Sequence, residues 1–181
     1  MSCERLRWLV TLLLLSLAVA ARAQAPQPSK NATAKNAANN SEAAIRDVYD
    51  RWAKAFRAHD PDAIMALYAP GDAVVGYDIV PPLQYVGKEA YRKDYQEFLA
   101  QYDGPIEVEY RDMRIIAGSD VAFIHALERL SGTLKGGQKS DLWVRATSGL
   151  RKIDGQWLIV HDHVSVPADF ETGKAVLDLK P

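Results

Sequence analysis

The chain has 181 residues, 48% of them hydrophobic and 25% charged, with a formal net charge of −1. That composition excludes a mainly disordered or collagen-like chain, and the near-neutral charge leaves no basic footprint for nucleic acid. The single cysteine, Cys3, excludes an intramolecular disulfide and a cysteine-based zinc site.

Residues 1–23 have the layout of a secretory signal peptide: Arg5 and Arg7, an apolar run from Trp8 to Ala20, then Ala21-Arg22-Ala23 as a small-x-small cleavage site. The run is shorter than the ~20 residues a membrane span needs. An exported chain, periplasmic or secreted, with no stable membrane anchor after cleavage is therefore expected. Cleavage leaves 158 residues with a net charge of −3 and no cysteine, so the domain must hold together through its core alone. Residues 24–40 carry no large apolar side chain and read as a flexible linker.

From Ser41, a candidate helix cap, Ile45, Val48, Tyr49, Trp52 and Phe56 fall on one helical stripe that should end near His59. Asp60-Pro61 starts a second, short helix, with the aspartate as cap and proline in the first turn. Ile64, Met65, Leu67 and Tyr68 form its buried face, and Pro70-Gly71 stops it. Ala73 to Ile79 predicts a strand, and Val80-Pro81-Pro82 must leave any sheet centre. Gly87 to Ala100 predicts a third helix with Tyr91, Tyr95, Phe98 and Leu99 on one face.

Strands follow. Ile106, Val108 and Tyr110 alternate with charges, and the phase then slips to Met113 and Ile115, which predicts a bulge near Arg111-Asp112. Val121–Leu130, Asp141–Ile153 and Trp157–Val166 complete a meander. Gly149 marks a candidate bulge, Asp154-Gly155 signals a tight hairpin, and residues 168–181 read as a loose tail. Helices first and an antiparallel meander after them make the fold class α+β, with three N-terminal helices covering one face of a curved antiparallel sheet.

The stretch Gly149 to Pro167 resembles the terminal hairpin of SnoaL-like proteins, members of the nuclear transport factor 2-like superfamily that also includes ketosteroid isomerase. Tyr49-x-x-Trp52, His59 to Ala69 and Tyr77 to Gly87 are similar to that family's first helices and early strand, so the resemblance spans residues 41–167 in matching order. It implies a cone: helices and a bent sheet around a mostly apolar pocket for a small-molecule ligand, no cofactor, and homodimers through the outer sheet face. It implies isomerase, dehydratase or cyclase chemistry by proton transfer, or a non-catalytic ligand-binding or assembly domain, because one fold hosts many activities.

Candidate site residues follow from chemistry and parity. Trp157, Ile159, His161 and His163 share one strand parity, and the resemblance places that parity inside the cone. His161 and His163 then become candidate acid–base groups. Together with His125 or Asp78 they are also a weaker candidate metal set, although the resemblance implies a metal-free site. Asp78, before the Pro81-Pro82 loop, is the best carboxylate for abstracting a proton next to a carbonyl, against the alternative of an exposed turn aspartate. Tyr49, Trp52, Tyr77 and Tyr95 are candidate ligand-lining residues, although aromatic rings at helical spacing are first of all core. His125 reads as a hydrogen-bonded core histidine or a ligand contact. Arg145 reads as a solvated sheet charge or, on an inner face, a carboxylate binder.

Overall fold

A computed structural model describes residues 30–181; the expected signal peptide lies outside them. The first helix, α1, runs from Lys30 to Arg57. Its start precedes Ser41, so residues 30–40 are helical rather than a linker. Ala32, Ala34, Ala37 and Ala38 are strong helix formers, and extending an existing helix adds one hydrogen bond per residue fixed. Residues 35–40 are exposed, as their lack of large apolar side chains requires. From Ile45 onward the expected stripe is buried, each large apolar side chain contributing about 1.5–3 kcal/mol.

Asp60 caps the second helix, α2 (Pro61–Met65), by accepting a hydrogen bond from the Ala63 N–H at 2.9 Å. The chain then lies along the sheet, where Ala69 N–H donates to the Ile159 carbonyl and Ile159 N–H donates to the Leu67 carbonyl. The predicted Ala73–Ile79 strand is reduced to β1 (Val75–Tyr77), preceded by a single 3-10 turn, and the short β2 (Tyr85–Val86) pairs with it. Gly76 in β1 lies under the third helix, α3 (Lys88–Leu99), where an added Cβ would come within 2.8 Å of the Tyr91 ring.

Four long strands join β1 and β2 in one sheet: β3 (Glu107–Ala117), β4 (Val121–Thr133), β5 (Lys139–Ile153) and β6 (Gln156–Ser165). The sheet order is β2-β1-β6-β5-β4-β3, antiparallel except where β1 runs parallel to β6. The fold is α+β, with three helices closing one face of a curved sheet. The phase slip in β3 is a bulge between Arg111 and Arg114, with Asp112 at φ 55°. Asp154 and Gly155 both adopt positive φ in the hairpin, the conformation that suits the twist of the flanking strands. β4 continues three residues beyond the predicted Leu130 because it pairs with β5 up to Thr133↔Lys139. The segment expected as a loose tail forms a short hairpin, β7 (Ala168–Asp169) with β8 (Lys174–Ala175).

One irregularity decides the site. Leu150 pairs with Ile159, yet Gly149 pairs with His161, so Val160 is the extra residue of a bulge in β6. Sequence parity marked Gly149 as the irregular position; the extra residue lies opposite it, on the partner strand. Past that bulge the strand's faces exchange. Trp157 and Ile159 point inward, but the next inward residue is Asp162, buried opposite Ser148.

Candidate functional site

The exchange of faces corrects the assignment of the histidines. His161 and His163 lie on the outer face of the sheet, with His163 exposed. The Tyr77 ring meets both edge-on, at 4.9 and 5.7 Å between ring centroids, and His161 Nδ1 lies 2.8 Å from the Val75 carbonyl oxygen. Tyr77 is itself exposed, so it lines no interior pocket. His125 and Arg145 are exposed on the same outer face, because β4 and β5 keep their alternation and bury Ala122, Ile124 and Val144 instead. None of the four candidates His125, Arg145, His161 and His163 lines the larger cavity, and only His163, exposed on the outer face, borders the small chamber beside Asp162. The weaker metal set does not converge, and among the described residues no three His, Cys, Asp or Glu side chains are grouped to hold a metal ion.

Inside the cone is a cavity of about 370 Å³ between α1, α3, the β1–β2 loop and the sheet. Trp52 and Tyr95 line it, and so does Asp78. Beneath it a chamber of about 30 Å³ is lined by Tyr49, Tyr110, Ser148 and Asp162, and Trp52, Glu128 and Val164 border both spaces. Three acids not singled out from the sequence, Asp94, Glu128 and Asp162, face these spaces and are buried.

Each acid has a distinct environment. Asp162 accepts hydrogen bonds from Tyr68 Oη and Ser148 Oγ. Burial still raises it to about 6, with those two bonds pulling it back. The Tyr68 hydroxyl is 2.7 Å from that of Tyr95, which accepts from the Trp52 indole N–H at 3.2 Å. Every proton in this chain can point toward Asp162, so Tyr95 is committed to the network rather than free to donate to a ligand. Burial, together with the Asp162 charge, keeps the Tyr49, Tyr68 and Tyr95 phenols neutral by raising them well above their usual range. The Tyr110 hydroxyl is buried with no hydrogen-bond partner.

Asp78 and Asp94 form a pair. The loop after β1 turns Asp78 so that its carboxylate accepts from the Ile79 N–H. One turn of α3 after Tyr91, Asp94 comes within hydrogen-bonding reach of it. Burial raises Asp78, offset by the Ile79 bond and by the hydrogen bond from Asp94. Burial raises Asp94 to about 6, the Tyr85 phenol opposing this and the Asp78 charge adding to it. Below about pH 6 Asp94 is therefore the member of the pair that carries the proton, placed within reach of the Asp78 carboxylate. Glu128 is raised further, to about 8, by burial first and by the charges of Asp162 and Asp78 second, with no hydrogen bond to lower it.

The missed acids had sequence signals. Asp94 follows Tyr91 by three residues and precedes Phe98 by four, on the apolar face of α3. Glu128 interrupts the inward series Ala122, Ile124, Ala126, Leu130. Asp162 had none, since its facing depends on the Val160 bulge.

Comparison with known proteins agrees with this architecture. Residues 45–169 match the family model described as a SnoaL-like domain. An NTF2-like protein of unknown function from Pseudomonas putida KT2440 is 36% identical over 79% of this chain and 98% of its own, with a TM-score of 0.71. A protein from Xanthomonas campestris, provisionally named a calcium/calmodulin dependent protein kinase II association domain, is 25% identical over 67% of this chain and 84% of its own, with a TM-score of 0.60. A protein from Novosphingobium aromaticivorans, provisionally named a scytalone dehydratase, shares the fold at 15% identity over 72% of this chain and 86% of its own, with a TM-score of 0.64. Among curated proteins none matches. With the cone, the inward acids and a family match across most of the folded residues, the chain belongs to the SnoaL-like family of the nuclear transport factor 2-like superfamily.

Proposed function

We propose that the cone binds a small, largely apolar ligand bearing a carbonyl or aromatic group, and that Asp78 and Asp94 carry out cofactor-free proton transfer on it, of isomerase, dehydratase or cyclase type. The observation that carries this reading is the carboxyl pair on the wall of an aromatic-lined cavity of about 370 Å³. The volume suits a compact ligand. Two carboxyls that share one proton supply a base and an acid together. Asp78 would take a proton from the carbon next to the carbonyl while Asp94 gives its own to the carbonyl oxygen, forming the enol. Returning the hydroxyl proton to Asp94 and delivering the Asp78 proton to another carbon restores the pair. The dehydratase name borne by the Novosphingobium relative is consistent with this chemistry.

The test is a panel of small cyclic ketones, enones and phenolic carbonyl compounds, scored both by thermal shift and by turnover. Saturable binding with turnover is expected for at least one. Saturation without turnover across the panel would move the assignment to the alternative, a non-catalytic binding or assembly domain, which the name of the Xanthomonas relative favours.

Export through residues 1–23 belongs to the same reading, as does a homodimer through the outer sheet face. That face displays Ile116 and its cross-strand partner Phe123, both exposed, with the Arg111 guanidinium stacked 5.2 Å over the Trp143 ring. Light scattering should give twice the chain mass, and a monomer at micromolar concentration would remove the dimer.

A further inference from the structure

The charge lining the larger cavity of the cone is of one sign. Its ionisable side chains are Asp78, Asp94, Glu97 and Glu128 with the Tyr85, Tyr91 and Tyr95 phenols, and no Lys, Arg or His lines the cavity. Glu97 has Lys93 at 3.7 Å, and Asp78 and Asp94 have each other. Glu128 has neither a cation nor a hydrogen bond among the described residues, although it is only 7% exposed and faces the open space. The titratable groups around it are acids and phenols, Tyr49 from α1, Tyr95 from α3, Tyr110 from β3, Asp162 from β6 and Asp78 from the β1–β2 loop, with one base, the exposed His163 of β6, at the border of the small chamber. A buried carboxyl left without a partner is expensive for a fold to keep, and this one lies beside the Trp52 ring on the cavity wall.

Aromatic faces with a carboxyl and no competing base form a site for an organic cation. We propose that the ligand of this cavity carries a protonated or quaternary amine, seated between Glu128 and the Trp52 and Tyr95 rings, with its apolar body toward Phe98. This rests on the cone being a ligand site, and it adds the charge of the ligand. Glu128 is then the residue that determines specificity: it selects cations, while the surrounding acids turn away carboxylates. A cation placed beside Glu128 favours its ionised form, so binding near neutral pH releases a proton.

The test is isothermal titration of the full chain at pH 7 with 2-phenylethylamine, 2-phenylethanol and 3-phenylpropanoate, which share one apolar body and differ in charge. The amine is expected to bind at least about tenfold more tightly than the alcohol, a difference of about 1.4 kcal/mol, and the carboxylate more weakly than either. Comparing phosphate with Tris buffer should reveal proton release with the amine alone. In Glu128→Gln the preference for amine over alcohol should shrink to less than about threefold. An alcohol that binds as tightly as the amine overturns the proposal while leaving the cone standing as a ligand site. A preference unchanged in Glu128→Gln also overturns it, and so does silence from all three compounds. The cone itself is judged by the separate carbonyl panel.

Discussion

Glu128→Gln is expected to stabilise the unliganded protein at alkaline pH and to have almost no effect at pH 4. The folded state raises this carboxyl from 4.5 to about 8, so the native chain holds the proton more tightly than the unfolded chain does. A group shifted upward contributes stability that is fully present below its unfolded value and is lost as pH rises through its folded value. The window here is therefore pH 4.5 to 8. Across it the cost of ionising Glu128 in the core grows to about 5 kcal/mol, a large part of the net stability of a domain this size. Glutamine has nearly the same shape and no charge, so the variant should lose this slope. Asp94 and Asp162, raised from 3.8 to about 6, give slopes of the same sign that end earlier. The wild type should keep losing stability between pH 6.5 and 8.5, where the variant is flat. Urea unfolding at pH 4, 6.5 and 8.5 measures this, and parallel curves for the two proteins would show that Glu128 is not held in a protonated, unpaired state.

A core carboxyl that weakens the protein as pH rises is what a site optimised for a ligand, rather than for stability, would retain. The same tension explains how far the site could be read from the sequence. Period and parity were enough for the buried stripe of α1 from Ile45 onward, though not for its start at Lys30, and for α3, the hairpin at Asp154-Gly155 and the β3 bulge, because each rests on local spacing around side chains with one buried face. They failed in β6. There both parities carry apolar residues, Trp157 and Ile159 on one side and Leu158, Val160 and Val164 on the other, so only the register with β5 reveals that Val160 bulges and turns Asp162 inward. In β4 the rule misled for a related reason. Val121, Phe123 and Leu127 make the outer face as apolar as the inner one, which drew attention to His125 and away from Glu128. A sheet that is apolar on both faces hides its cavity from pattern analysis, and an acid within an apolar stripe is then the better signal than a histidine.

Asp78→Asn and Asp94→Asn should each lower turnover by about 10²–10⁴-fold, the usual contribution of a positioned acid or base, but with different pH profiles. Asp78 is the acceptor of the pair: its carboxylate is fixed by the Ile79 N–H and by the proton of Asp94. Replacing it with asparagine removes the base, so activity should be low at every pH while ligand affinity changes little. Asp94 holds its proton up to about 6, so wild-type turnover should decline as pH rises through that value and the donor ionises. Asparagine at position 94 can still donate an N–H to Asp78, which preserves the base but leaves no proton to give to the carbonyl oxygen. Asp94→Asn should therefore retain a small residual rate with no decline near pH 6. Because the two carboxyls interact, the wild-type profile reports the pair rather than either residue alone, and the single variants separate them. Both side chains line the cavity wall rather than the apolar core around Ile45 and Ile64, so circular dichroism should stay close to wild type, and Asp94→Asn, free of the cost of ionising a buried carboxyl, should melt no lower than wild type at neutral pH. A folded Asp78→Asn protein with turnover within about twofold of wild type would exclude Asp78 as the base. A wild-type profile that is flat through pH 6 would exclude proton sharing between Asp78 and Asp94.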